Sequence, residues 1–440
     1  MLRSTSSVLV ARFIVLGLGL ISGIIIARAL GPELKGVYSV LILVSSLLAL
    51  MGDLGIGLAN VYHLGHNRYP PVEIAWNSLI LAWGMGLVLS LAAGVCLFST
   101  RGILTQLPWI AIIIVPASLP FVLMTSYLSM VLLGAHQIRK YNFVSISPGV
   151  TAVFAVWVVL VILKASLVGA LIAWFSSIVV TGVLALALVQ RHLSFPPRLN
   201  LRLATDSIRF GVKGHVSNVL TFLTYRMGIL LLAYLSGAAA VGYYSVAVTL
   251  AESLWILPSS ISTVLLPRVA SMDQLESKQL TSAVCRGVFL LMVVVALIAF
   301  VVVRPMIGKL FGSAYLSARE PFALLLPGSV FLSISKITAT DLVGRGKPIL
   351  GAYVAAATLV LNAAVNVLLI PRWGASGAAM AASVSYAFSA ILLLAIFARV
   401  TGSTVGDTLL IRRSDLRVYQ AFAKSLLAGA ARTASARRRL

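Results

Sequence analysis

The chain has 440 residues, 60% hydrophobic and only 10% charged, with a mean hydropathy of +1.04, whereas a soluble domain carries about 25% charged residues. Its 34 Lys and Arg against 11 Asp and Glu give a net charge of +23, concentrated between apolar runs and without the interleaved aromatic residues of a nucleic-acid reader. Composition therefore excludes a soluble enzyme, a disulfide-built secreted domain and a nucleic-acid partner, and the long apolar runs argue against β-barrel strands.

Twelve apolar stretches long enough to span a bilayer as helices follow one another: 8–30, 36–60, 73–98, 109–133, 143–163, 166–190, 214–236, 242–267, 286–303, 320–343, 349–370 and 374–400. The first has Arg3 and Arg12 near its start and is too long for a signal-peptide core, so it reads as a retained helix. The predicted fold is all-α and integral to the membrane. Two six-helix bundles, 1–190 and 214–400, are joined by a basic linker at 191–213 and followed by a basic tail at 401–440. Cys96 falls in a span and Cys285 in a basic loop, which supports neither a disulfide nor a thiolate metal site.

Basic residues set the expected orientation. Segments after even-numbered spans hold 13 Lys and Arg, those after odd-numbered spans 7, and the tail from Arg399 holds nine. The positive-inside rule then places both termini and the linker in the cytoplasm, in a multi-pass protein of the cytoplasmic membrane. The linker and tail carry Arg every few residues with apolar residues between, as expected of segments lying on anionic phospholipids.

The sequence also repeats. Gly36-Val37-Tyr38-Ser39-Val40 corresponds to Gly242-Tyr243-Tyr244-Ser245-Val246, Leu133-Gly134 to Val343-Gly344, and Val168-Gly169-Ala170 to Ser376-Gly377-Ala378, at offsets of 206, 210 and 208. Three ordered matches at a nearly constant offset predict two halves running in the same direction, the parallel repeat of several secondary transporters with the substrate path between the halves.

The same residues carry a family resemblance. Ala27-Arg28-Ala29-Leu30-Gly31-Pro32-Glu33, Asp53-Leu54-Gly55-Ile56-Gly57, Phe311-Gly312-Ser313-Ala314-Tyr315, and Gly344-Arg345-Gly346-Lys347 with Asn362, Asn366 and Leu369-Ile370-Pro371 resemble bacterial oligosaccharide flippases of the Wzx type. These belong to the multidrug/oligosaccharidyl-lipid/polysaccharide exporter superfamily. Ile208-Arg209-Phe210-Gly211 also matches, although the proline usual after the glycine is missing. The resemblance covers residues 5–400 and rests mostly on Gly, Pro and Asn at helix ends. It implies a V-shaped pair of six-helix bundles that moves a polyprenyl-pyrophosphate-linked glycan across the membrane by alternating access, working beside other polysaccharide-assembly membrane proteins. The family needs no cofactor, and the chain has no G-x-x-x-x-G-K-[ST] phosphate loop. A transporter is expected, not an enzyme.

Charges inside spans are costly and so mark candidate sites. Arg226, central in the seventh span beside Thr221, Thr224 and Tyr225, is a candidate to hold pyrophosphate through its planar fork, or else a partner for Glu252. Glu252, at mid-depth in the eighth span, is a candidate coupling site or half of a static ion pair. Lys336 lies deep in the tenth span and is a second candidate substrate ligand, whereas Asp341 is expected to be solvated. Arg28 joins the substrate candidates, with snorkelling or a pair with Glu33 as alternatives. Asp53 is a gating candidate, or a hydrogen-bonding group at a helix junction rich in Gly52, Gly55 and Gly57. Asn362 and Asn366, four residues apart, suit interhelical hydrogen bonding. His63, His66, His136, His192 and His215 offer no three-ligand metal set. Two rivals remain: a multidrug/cation antiporter, which would want cavity acids, and a glycan ligase or polymerase, which would want a large outer loop.

Overall fold

The computed structural model describes residues 2–99, 108–190 and 199–409, with side chains at all of these except 2–9, 96, 99, 213 and 405. Among them every regular element is helical: α1 (Leu2–Asp53), α2 (Ile56–Gly65), α3 (Pro71–Ser99), α4 (Trp109–Gly134), α5 (Ile138–Val156), α6 (Leu167–Val189), α7 (Leu201–Leu235), α8 (Ala238–Ser253), α9 (Ile256–Ser271), α10 (Gln274–Ile298), α11 (Arg304–Phe311), α12 (Arg319–Gly344), α13 (Pro348–Thr401) and α14 (Val405–Leu409). Lipid offers no water to backbone N–H and C=O groups, so long apolar runs must bond those groups within their own helix. Where a proline interrupts that pattern, a neighbour compensates. Pro120 of α4 cannot donate to the Pro116 carbonyl one turn back, and Ser90 Oγ of α3 donates to it instead at 2.6 Å.

Nine described helices are long and apolar enough to cross a membrane, and the pair α8–α9, bent by 42°, makes a tenth. Two of them, α1 and α13, are much longer than one crossing needs. A straight helix of the 54 residues in α13 would run about 80 Å, against a hydrocarbon core of about 30 Å. At Gly374 the backbone leaves the helix (φ 49°, ψ −125°), and Asn362 Nδ2 donates to Ser385 Oγ at 3.0 Å. Across the break these residues touch, so the chain turns back there. α1 breaks at Gly31 (φ 70°, ψ 175°), directly before Pro32.

Gly31, Gly237, Gly312 and Gly374, all at positive φ, lie on one face of the bundle, the Gly31 face. The turns at His66, His136 and Arg345 lie on the other, the His136 face. The two halves meet most closely at the Gly31 face, through the first pair of repeated segments. A Cβ on Gly36 would stand 1.8 Å from the Ala238 carbonyl oxygen, and one on Gly242 would stand 2.0 Å from that of Pro32. Only glycine lets the two backbones approach so closely.

Two expectations from sequence are corrected. The linker 191–213, expected as a surface helix separate from the spans, is from Leu201 onward continuous with the seventh span as part of α7. Asn200 caps α7 by accepting from the Leu203 N–H at 3.1 Å, and Leu203, 1% exposed, packs in the N-terminal core with Ile56, Ile74 and Leu128. The far end of α7, at Ile229 and Leu232, belongs to the C-terminal core with Tyr244 and Ile337. Thus α7 is rooted in one half and ends in the other. Likewise Cys285 is not in a loop: α10 begins at Gln274, capped by Asp273, and Cys285 is fully buried within it. The apolar periodicity begins late in both helices because their first turns are polar and lie near the His136 face. The linker residues 191–198, with His192, the side chain of Cys96 and the tail residues 410–440 lie outside the described part. The tail that is described folds back on α10, with Lys278 Nζ donating to the Gly402 carbonyl at 2.9 Å and Arg286 donating to that of Asp407.

Candidate functional site

Between the two halves lies a chamber of about 590 Å³. α1 contributes Arg12, Leu16 and Leu20; α5 contributes Tyr141 and Asn142; α8 and α9 contribute Glu252, Trp255 and Ser259; α12 contributes Lys336. Tyr141 and Asn142 stand in the first turns of α5, so the chamber reaches from mid-span toward the His136 face. Toward the Gly31 face it is closed by the Gly36–Gly242 crossing and by two further contacts. Arg28 Nε donates to the Leu310 carbonyl at 2.7 Å and its Nη2 to that of Lys309, and Tyr315 donates its hydroxyl proton to the Ala27 carbonyl at 3.1 Å. Arg28 is thus a bolt between the halves rather than a chamber residue, and no pair with Glu33 forms.

The structure separates the cations that sequence grouped together. Arg226 Nη1 and Nη2 bind Glu252 Oε1 and Oε2 at 2.7 and 3.1 Å, with the side chains 27% and 24% exposed. This fork-to-fork pair occupies the donors that would have met a pyrophosphate. Lys336 is different. Its Nζ sits 6.0 Å from the Tyr225 ring centre and 5.8 Å from that of Trp255, and no described residue hydrogen-bonds to it. Tyr225, Trp255 and Tyr386 pack mutually at 5.1–5.8 Å, and Trp255 Nε1 is anchored on Ser329 Oγ at 3.1 Å. Aromatic faces attract a cation without using its N–H donors, so the three protons of Lys336 remain for an anion. From the other half, exposed Arg12 reaches across to Thr263 Oγ1 at 3.3 Å. One cation from each half therefore faces the chamber.

Asp53 does not face it. The chain leaves the helix at Leu54 (φ 48°) and Gly55 (φ 73°), and Asp53 supports that break, accepting from the Gly55 N–H at 3.1 Å and from Ser126 Oγ at 2.8 Å. Gly55 itself lies against α7, where its Cβ would stand 2.6 Å from the Gly211 carbonyl oxygen. The root of α7 is held further by Tyr69, whose hydroxyl donates to Asp206 Oδ2 at 2.7 Å, a bond that raises the tyrosine pKa. Asp341, expected to be solvated, is fully buried. It accepts from Thr281 Oγ1 at 2.7 Å and pairs with Arg345 Nε at 2.5 Å. Asn362 and Asn366 are buried and bonded to each other, and Asn362 also reaches Ser385, so they fasten the two arms of α13. Among the described residues no cluster of His, Cys, Asp and Glu would hold a metal ion.

Sequence reasoning passed over Arg12, Asn142 and Trp255. Arg12 was legible: it lies inside the first apolar stretch, where any charge is costly, and shares a helical face with Leu16 and Leu20. Asn142 and Trp255 carried no such signal, because only the approach of α5 and α9 to α1 makes them wall residues.

The sequence profile described as polysaccharide biosynthesis protein matches residues 1–273. The chain is 24% identical over 221 residues to a probable low-salt glycan biosynthesis flippase, Agl15, of Haloferax volcanii, a match covering 49% of this chain and 46% of that one. It spans about half the length of that relative. It is 23% identical over 396 residues to a putative O-antigen transporter of Shigella flexneri, covering 85% of this chain and 92% of the relative. Among solved structures it is similar to an inward-facing multidrug resistance MATE family transporter (TM-score 0.72, 14% identity, 88% and 94% of the two chains) and to the lipid II flippase MurJ in an inward closed conformation (TM-score 0.71, 13% identity, 91% and 88%). At such identities these two structures speak to the fold alone.

Proposed function

Because this chain belongs to the polysaccharide biosynthesis protein family, we propose that it carries a polyprenyl-pyrophosphate-linked oligosaccharide across the cytoplasmic membrane by alternating access, as a transporter and not an enzyme. One observation carries the reading: a cation from each half faces a shared chamber while the chamber acid, Glu252, is occupied by Arg226. A pyrophosphate sheds hydration on entering an apolar bundle, and Lys336 and Arg12 replace it with charge-assisted hydrogen bonds. Arg226 and Glu252 form the wall that keeps the aromatic box around Lys336 in place, and an opening of their pair is the natural coupling step. The halves hold the cargo jointly, so separating them at one face and closing them at the other transfers it. The excess of basic residues supports a cytoplasmic His136 face and cytoplasmic termini, and in that orientation the chamber opens to the donor side. Breaks at Gly31 and Gly374 divide α1 and α13 into two spans each, for twelve. Anionic phospholipids and the enzymes that build and polymerise the glycan are the expected partners.

A multidrug/cation antiporter would share this fold, so the chamber's charge must distinguish the two. Purified protein in vesicles is tested with a fluorescent polyprenyl-pyrophosphate oligosaccharide and with a cationic dye. Translocation of the first alone is expected; transport of the dye alone would favour the antiporter.

A further inference from the structure

Lys336 lines a second cavity as well as the chamber. This cavity, about 990 Å³, lies mostly in the C-terminal half between α7, α12 and both arms of α13, with Leu58 of α2 and Phe210 at the root of α7 lining it from the N-terminal half. It descends from Lys336 and Tyr225 at mid-span to Val343 and Ile349 near the His136 face. Its wall on α12, from Leu332 to Val343, is about 16 Å long at 1.5 Å per residue. Val343 and Ile349 are 47% and 58% exposed, so the lower end is open near the His136 face.

The cavity's wall is mostly apolar, and several of its hydroxyl groups have their protons engaged elsewhere. Thr221 and Thr224 donate their hydroxyl protons to the carbonyls of Ser217 and Leu220, one turn back, at 2.8 and 2.9 Å. The hydroxyl oxygens of Ser335 and Thr358 are buried without a hydrogen-bond partner. Aliphatic and methyl groups from Leu332, Ala339, Ala352, Ala355 and Leu393 make up most of what remains, and scattered Asn218 and Ser389 do not compose a site for a polar head. A chamber that takes a cation from each half and a larger, mostly apolar cavity thus share one wall residue, and that residue is a cation.

We propose that this cavity receives the isoprenoid chain of the cargo, with the pyrophosphate at Lys336 where the two cavities join. The proposal rests on the reading of the chamber as a pyrophosphate site. The head and the chain of one amphiphile then part at Lys336: the glycan enters the chamber, and the first isoprene units enter the channel. The rest of the chain leaves past Ile349 into the bilayer, so the cargo never withdraws wholly from lipid. Specificity for a branched, unsaturated chain follows, because a fixed wall selects shape whereas lipid does not.

The test uses water-soluble probes on the full chain in nanodiscs: inorganic pyrophosphate, geranyl pyrophosphate and farnesyl pyrophosphate. Affinity should rise in that order, with about fourfold per methylene as the ceiling. Ala355→Phe, which fills the channel, should erase the gain while leaving inorganic pyrophosphate affinity unchanged. Equal affinity for all three probes, or a gain that survives Ala355→Phe, would overturn the proposal. Should that variant not fold, a photoreactive geranyl pyrophosphate decides: labelled peptides from α12 and α13 support the channel, and labels confined to α1 and α5 refute it. Failure of inorganic pyrophosphate to bind the parent would instead refute the chamber reading itself.

Discussion

Removing both partners of the Arg226–Glu252 pair should cost no more than removing either one. The pair is bidentate, with contacts of 2.7 and 3.1 Å, and about three quarters of each side chain is withdrawn from solvent. Breaking a fully buried pair costs about 3–5 kcal/mol. The wet quarter of each group reduces this, since exposed pairs contribute about 0–1 kcal/mol, so each single alanine variant should lose roughly 2–3 kcal/mol. Arg226→Ala/Glu252→Ala leaves no stranded charge and should lose about as much as one single variant, giving a coupling energy of roughly 2 kcal/mol. Reversible unfolding in detergent, read by tryptophan fluorescence, measures all four proteins. Additive losses would show that the pair contributes nothing and that Arg226 is free to serve as a substrate ligand.

Other consequences follow from particular contacts. Gly36→Leu cannot fit against the Ala238 carbonyl and should hold the Gly31 face open, so that a cysteine at Ser253 in the chamber reacts with an impermeant thiol reagent from outside; labelling only from the cytoplasmic side would disprove that closure. Cysteines at exposed Ser317 and Gln274 should label from outside and only after permeabilisation, respectively, and the reverse pattern would invert the orientation. Asp341→Asn strands Arg345 and weakens the bond from Thr281, a loss of about 3–5 kcal/mol; a change below about 1 kcal/mol in thermal unfolding would contradict the assigned role.

Much of the fold was legible because bilayer length and hydropathy leave few choices. The repeated glycine segments were readable as a duplication, and Gly36 and Gly242 prove to touch the opposing half directly. What sequence could not give was the partner of each charge. Arg226 and Glu252 are 26 residues apart across a helical hairpin, a separation that allows a pair without requiring one. Lys336 gained its meaning only from Tyr225 and Trp255, which arrive from two other helices. Asp341 seemed solvated because its place near a span end was visible, whereas its burial under Thr281 and Arg345 was not. Arg12 was legible as a charge inside the first apolar stretch, yet near the terminus a basic residue passes for a topology signal.

The most direct measurement is the translocation rate of a polyprenyl-pyrophosphate oligosaccharide by purified protein in vesicles, compared for the parent, Lys336→Arg and Lys336→Met at matched protein density. Loss of a charge-assisted contact of about 1.5–3 kcal/mol should slow Lys336→Met by roughly tenfold to a hundredfold at limiting cargo, while Lys336→Arg, which keeps the cation in the aromatic box, should retain most of the rate. Parental translocation by a well-folded Lys336→Met would contradict the assignment of the chamber as the pyrophosphate site.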